Sequence, residues 1–392
     1  MEYSKMCLIQ VALIIFLIVV FEICPQFAFA GSPVEYLPGF EGPLPFQLET
    51  GYIGVGEDEV QLFYYFIKSQ SNPKVDPLIY WFTGGPGCSP LNAILFELGP
   101  VELDIRAYNG SLPTLSLNPY AYTKVANMIF VDLPVGSGYS YATTQKANHS
   151  DDLQSGDHAN EFLRKGYILG NPVTFSGQDY YKIPFAHGMG LIPDELYKSL
   201  VTNCGGEYKH NGSTKSLCSR DMRTFDWLIK DIYQYHILES PCDPVSYDSR
   251  RSLSENVQNL KSPAAYPGVK CREEWHELSV IWANDKNVRD ALHVRKGTTG
   301  AWERCRSNLS FAIIVNNTIP YHANLSRKGF RSLIYSGDHD MVIPFISTQA
   351  WIKSLNYSIS DDWKPWIIDG QVAGYTRSYS NQMTFATVKA RN

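Results

Sequence analysis

The stretch Leu78-Ile79-Tyr80-Trp81-Phe82-Thr83-Gly84-Gly85-Pro86-Gly87-Cys88-Ser89-Pro90-Leu91 decides how the chain is read. Its first five residues are apolar or aromatic and are bounded by Pro77 and Gly84, which predicts a buried central strand. After Thr83, the four residues Gly84 to Gly87 carry almost no side chain. Glycine tolerates left-handed or crowded backbone at little cost, so such a turn can aim bare N–H groups at an anion. A phosphate fits that description, and so does the oxyanion of acyl transfer. The Lys and Ser/Thr of a phosphate loop are missing, which weakens the first. A tight turn with a purely structural role stays open.

On either side of this stretch the pattern alternates between strands and helices. Residues 48–53 and 60–67 read as strands, the second partly alternating as at the rim of a sheet. Residues 92–98 predict a short helix, 109–119 a loop, and 126–133 (ANMIFVDL) a second buried strand turned at its end by 134–138. Residues 151–164 are polar with a helical pattern. The region 178–270 carries three cysteines, with Cys271 directly after it, and many polar residues, and predicts an inserted, disulfide-stapled helical subdomain. Within it, 246–264 predicts a flexible or cleavable loop. Residues 277–292 predict one amphipathic helix, 331–336 (RSLIYS) a strand, 344–355 a helix, and 365–368, 372–377 and 383–388 late strands in a meander. Strands separated by helices predict an α/β fold with a mostly parallel sheet covered on both faces.

The 392 residues are 44% hydrophobic and 13% aromatic, enough for a large core. A net charge of −5 offers nucleic acid no basic face. At the N-terminus, Lys5 precedes an apolar run from Leu8 to Phe21, and Ala28-Phe29-Ala30 follows with small residues at cleavage spacing. This predicts a secretory signal over 1–30, cut after Ala30. Glu22 ends the run short of a membrane span, so no membrane contact is expected after cleavage. Asn109, Asn148, Asn211, Asn308, Asn316, Asn324 and Asn356 each begin an N-glycosylation sequon, which fits the same pathway. Beyond the signal, Cys88, Cys204, Cys218, Cys242, Cys271 and Cys305 remain, an even number that argues for disulfides. Their spacing suits no metal site and leaves the pairing open. No cofactor is expected.

Four motifs carry a resemblance: WFTGGPGCSPL at 81–91, FELGP at 96–100, NMIFVDLPVGSGYSY at 127–141 and YSGDHDMVIP at 335–344. Together, and in this order, they resemble the serine carboxypeptidase family, more narrowly the plant serine carboxypeptidase-like group that includes glucose-ester acyltransferases. The resemblance implies an α/β-hydrolase fold, with a core over 31–177 and 271–392 and the helical insertion over 178–270. It implies a triad in the chain order Ser, Asp, His. Asp340 matches the triad aspartate, preferred over its neighbour Asp338, and Gly85 the oxyanion hole. Thr83 and Glu97 match positions that hold a peptide's terminal carboxylate. Thr83 is usually Asn in the peptidases, so this chain leans to the acyltransferase side. The family disulfides map onto Cys88–Cys305, Cys204–Cys218 and Cys242–Cys271. The substrate class implied is a peptide C-terminus or an acyl-glucose ester, attacked through an acyl-enzyme in a secreted or vacuolar protein.

Two expected parts are not read in the sequence. No Gly-x-Ser-x-Gly elbow occurs anywhere, and Phe162-Leu163-Arg164-Lys165 runs directly into Gly166-Tyr167-Ile168 where the family would place a helix remainder, a central strand, the elbow and a helix. The triad histidine, expected after MTFATVK at 383–389, is also not found, and the last His of the sequence is His339, read as a turn-surface residue. Ser137, between Gly136 and Gly138, belongs to the turn after a different strand, and a hydroxyl without an adjacent base is a poor nucleophile. These gaps predict an incomplete core and a catalytically inactive chain, arising by alternative splicing or mis-assembly of an intact gene. The alternatives are a non-catalytic binding protein on the same scaffold and a product that does not fold.

Overall fold

A computed structural model describes residues 31–57, 59–104, 108–160, 166–208, 216–242, 272–368 and 370–389. The expected signal over 1–30, Lys165 on one side of the expected join, the loop over 246–264, Asn211 and Cys271 lie outside the described residues. The chain forms two compact units, one of Met1–Leu103, Thr114–Asn148 and Val280–Ser307, the other of Asp104–Pro113, His149–Ser279 and Asn308–Asn392.

The first unit is built on β1 (Ser32–Val34), β2 (Leu48–Val55), β3 (Val60–Ile67), β4 (Leu78–Trp81), β5 (Val101–Leu103), β6 (Leu115–Leu117), β7 (Asn127–Val131) and β8 (Tyr141–Ala142). The main sheet runs β1-β2-β3-β7-β4, with β8 also on β3. β2 and β3 form a hairpin; in its four-residue link Gly56 and Glu57 take positive φ, and Glu59 N donates to Gly56 O. Phe63, Tyr65 and Tyr139 are fully buried and meet edge to face at 5.0 and 5.3 Å between centroids. Trp282 is buried with its indole N–H donating to Pro38 O.

The second unit holds β9 (Ser150–Asp151), β10 (Gly166–Gly170), β11 (Phe311–Ala312), β12 (Arg331–Gly337), β13 (Ile359–Ile368), β14 (Gln371–Tyr379) and β15 (Met383–Val388). Its sheet order is β10-β12-β15-β14-β13. Ile334, Trp351, Ile352, Met383 and Phe385 pack as one core. Helices Asp194–Cys204 and Leu217–Ile229 pack on a separate core with Ile183, Phe185 and Met341, and are joined by the Cys204–Cys218 disulfide. Cys242 is also disulfide-bonded.

The expectation of a mostly parallel sheet is corrected. Parallel pairing joins β4 to β7 in one unit and β10–β12–β15 and the two-residue β9–β11 in the other; β2–β3, β13–β14 and β14–β15 are antiparallel through short hairpin links, and β3–β7 is antiparallel across a long connection. Parallel strands are ordinarily interior, yet β4 and β10 each stand at the end of their sheet, with Leu78 47% and Ile168 42% exposed. The single helix expected over 277–292 is two, Arg272–Asn284 and Lys286–Ala291. Asp285 breaks it by accepting from Asn287 N and Val288 N as an N-cap. The expected loop at 109–119 contains β6, and the late strand expected at 365–368 is the end of the ten-residue β13. No helix among the described residues is long and apolar enough to cross a membrane.

Candidate active site

In the first unit, β4 delivers the chain into the glycine turn. Trp81 Nε1 donates to Thr83 Oγ1 at 3.0 Å, so the Thr83 hydroxyl is already engaged within its own strand end. Gly84 and Gly85 are exposed, and a Cβ at either would meet nothing within 4 Å. Crowding therefore does not explain these two glycines; open space lies in front of them. Gly87 differs, since its φ of 101° lies in the region that L side chains avoid. The turn is anchored from behind. Cys88 is bridged to Cys305, Ser89 N donates to Arg304 O, and Arg306 N donates to Gly87 O.

Sequence reasoning missed the group that holds this anchor in place. Asp132, at the end of β7, is fully buried and accepts from Ser89 Oγ at 2.5 Å and from Tyr139 N at 2.9 Å. It thereby ties the turn after β7 to the turn after β4. Burial pushes its carboxyl up to about 7, against the pull of the Ser89 and Tyr139 bonds. Gly138 has φ +49°, and a Cβ there would collide with both Asp132 oxygens, so only glycine closes this loop. The local signal was an aspartate directly after an apolar run; its partner lies 43 residues away.

Glu97 follows helix Leu91–Phe96, is exposed, and sits 3.4 Å by Oε1 from Asn92 Nδ2. Its charge adds to burial in raising the Tyr122 phenol. Ser137 Oγ is wholly buried and has no hydrogen-bond partner among the described residues, which closes it to any substrate.

In the second unit, Asp340 lies in the turn after β12. Oδ1 accepts from Val342 N at 2.7 Å and Ile343 N at 3.0 Å, and Oδ2 accepts from Asn171 Nδ2 at 2.7 Å. Burial raises its carboxyl, while these bonds and the Lys182 charge pull the other way. Asn171, just past β10 with φ 45°, also accepts from Gly337 N and so clamps the end of β10 to the end of β12. No histidine is among the hydrogen-bond partners of Asp340 in the described residues. His339 is largely covered rather than on the turn surface, with Nδ1 2.6 Å from Asp338 Oδ1 and its ring stacked on His236.

The serine carboxypeptidase family profile matches residues 38–165 and 164–391, two segments that meet at Arg164–Lys165. Serine carboxypeptidase-like 13 of Arabidopsis thaliana is 45% identical over 418 residues, covering 95% of this chain and 92% of that protein. Serine carboxypeptidase-like 12 of the same plant is 44% identical, covering 92% and 89%. The first alignment is longer than the 392-residue chain, so that relative carries residues inside the match that have no counterpart here. Among solved structures, a prohormone-processing carboxypeptidase from Saccharomyces cerevisiae superposes with a TM-score of 0.67 at 19% identity, covering 93% of this chain and 92% of that one. This likeness is one of fold, an α/β-hydrolase.

Proposed function

The chain belongs to the serine carboxypeptidase family, and on that premise we propose that it is a catalytically silent member: a secretory-pathway scaffold that keeps oxyanion and recognition positions but not the acyl-enzyme machinery. One observation carries this reading. The family match breaks at Arg164–Lys165, and no Gly-x-Ser-x-Gly elbow occurs anywhere in the sequence. Without a nucleophile held beside a base, positioning and oxyanion stabilisation supply only a small remainder of the usual rate. The exposed parallel strands β4 and β10 support the same reading, because each stands where a further parallel strand would cover it.

The remaining positions keep their inherited roles in the proposal. Gly85 faces open space as an oxyanion donor would, and Thr83 and Glu97 line the recognition side for an acyl ester or peptide. Asp340 is the surviving triad position, here serving its turn. Asn109, Asn148, Asn308, Asn316, Asn324 and Asn356 are exposed, which supports glycosylation along the secretory route.

A fluorophosphonate probe on the secreted chain tests the proposal. We expect no labelling above a denatured control; labelling above that control refutes it. The clean meeting of the two family segments also favours an origin by alternative splicing. Full-length transcript sequencing checks that origin: it requires longer transcripts with an elbow-coding segment between the codons of Lys165 and Gly166.

A further inference from the structure

Gly31 is held from several sides at once. It sits at the open end of β1, where the register pairs Ser32 with Thr50 and Pro33 with Glu49. Gly31 N donates to Glu49 Oε1 at 2.6 Å, and Tyr64 Oη donates to the same oxygen at 3.1 Å. A Cβ on Gly31 would collide with Tyr64 Oη and lie 2.7 Å from Thr50 O and 2.8 Å from Glu49 Cγ. Real Cβ atoms do not approach so closely, and Thr50 O is backbone that cannot swing away. The neighbouring Gly51 is crowded in turn, its Cβ position 3.2 Å from Gly31 Cα. Glu49, Gly51 and Tyr64 thus form a cradle that fits a glycine nitrogen and excludes any side chain. Burial, then the Glu49 charge, raises the Tyr64 phenol to about 12, so it remains a protonated donor.

The residue in this cradle is also the one that follows Ala28-Phe29-Ala30. We propose that the chain is cut between Ala30 and Gly31 and that the α-ammonium so created is locked by the Glu49 carboxylate beside the Tyr64 hydroxyl. The proposal rests on the secretory reading above. In the cut, an endopeptidase of the secretory pathway adds water across the amide. The Ala30 carbonyl carbon takes the hydroxyl and becomes a carboxylate, and the Gly31 nitrogen leaves as an amine that takes up a proton. An amide N–H becomes a charged donor with three hydrogens, so a bond assisted by the Glu49 charge alone becomes an ion pair with charge on both partners. Processing therefore strengthens the contact that fixes β1 to β2 instead of leaving a frayed end.

The first arm of the test is intact mass and N-terminal sequencing of the full chain secreted from eukaryotic cells. The expected N-terminus is Gly31, and a different one overturns the proposal. Retention of residues 1–30 on a chain that is not secreted overturns the secretory reading as well. The second arm compares the processed chain with Glu49→Gln. The rate of Gly31 α-amine acetylation, followed by mass spectrometry, is expected to rise several-fold in the variant. A one-residue Ala extension before Gly31 is expected to lower the melting temperature by about 2 °C in the native sequence and not in Glu49→Gln. Equal acetylation rates and equal melting shifts in both backgrounds overturn the lock while leaving cleavage and secretion intact.

Discussion

Replacing Asp132 by Asn should change how stability depends on pH. Asp132 is fully buried, and its carboxyl is raised from 3.8 to about 7, mainly by burial. At 1.36 kcal/mol per unit, that shift corresponds to about 4 kcal/mol. The sign follows from proton binding. Below pH 4 the carboxyl is protonated in both folded and unfolded chains and contributes no pH dependence. Between pH 4 and 7 the unfolded chain loses this proton and the folded one keeps it, so stability falls as pH rises. Above about 7 the loss is complete. Asn cannot ionise. Its Oδ1 can accept from Tyr139 N, and its Nδ2 can donate to Ser89 Oγ, which already accepts from Leu91 N. Urea titrations of both proteins at pH 4, 5.5 and 7 measure the difference. The gap should move by about 4 kcal/mol in favour of Asp132→Asn between pH 4 and 7. Parallel curves would refute burial of this carboxyl as the cause.

Three further outcomes follow from the same geometry. Asn171→Ala strips a donor from Asp340 Oδ2 and an acceptor from Gly337 N, and should cost about 1–3 kcal/mol in a denaturant melt. Gly138→Ala should abolish secretion of folded protein because its Cβ meets Asp132, whereas Gly85→Ala, with nothing within 4 Å, should be secreted like the parent; immunoblots of medium and cells compare them. Replacing Cys88 and Cys305 together by Ser opens a loop with a sequence separation of 217 and should cost roughly 2–5 kcal/mol by thermal melt.

The parts of the fold legible in the sequence were those with long apolar runs. β3, β4, β7 and β12 announce themselves as clusters of Val, Ile, Leu, Phe and Tyr, and the glycine turn is unmistakable after β4. β1, β5, β6, β8, β9 and β11 are two or three residues long, too short to show a period. β13 was seen only at its apolar end because nearly all of it is exposed and its first residues, Ile359-Ser360-Asp361-Asp362, carry no alternation. At the candidate site, Gly85, Thr83, Glu97 and Asp340 were picked out by motif. Asp132 and Asn171 were not, because each acts through a partner distant in sequence, Ser89 in one case and Asp340, 169 residues on, in the other. Such pairings leave no mark at either end of the pair.

Asp340 has a structural task that does not depend on chemistry. Two backbone amides and one carboxamide hold its carboxylate. A chain that forms no acyl intermediate would still lose its turn after β12 if this residue were replaced. The presence of this aspartate is therefore a statement about architecture, and by itself it does not count toward enzymatic competence.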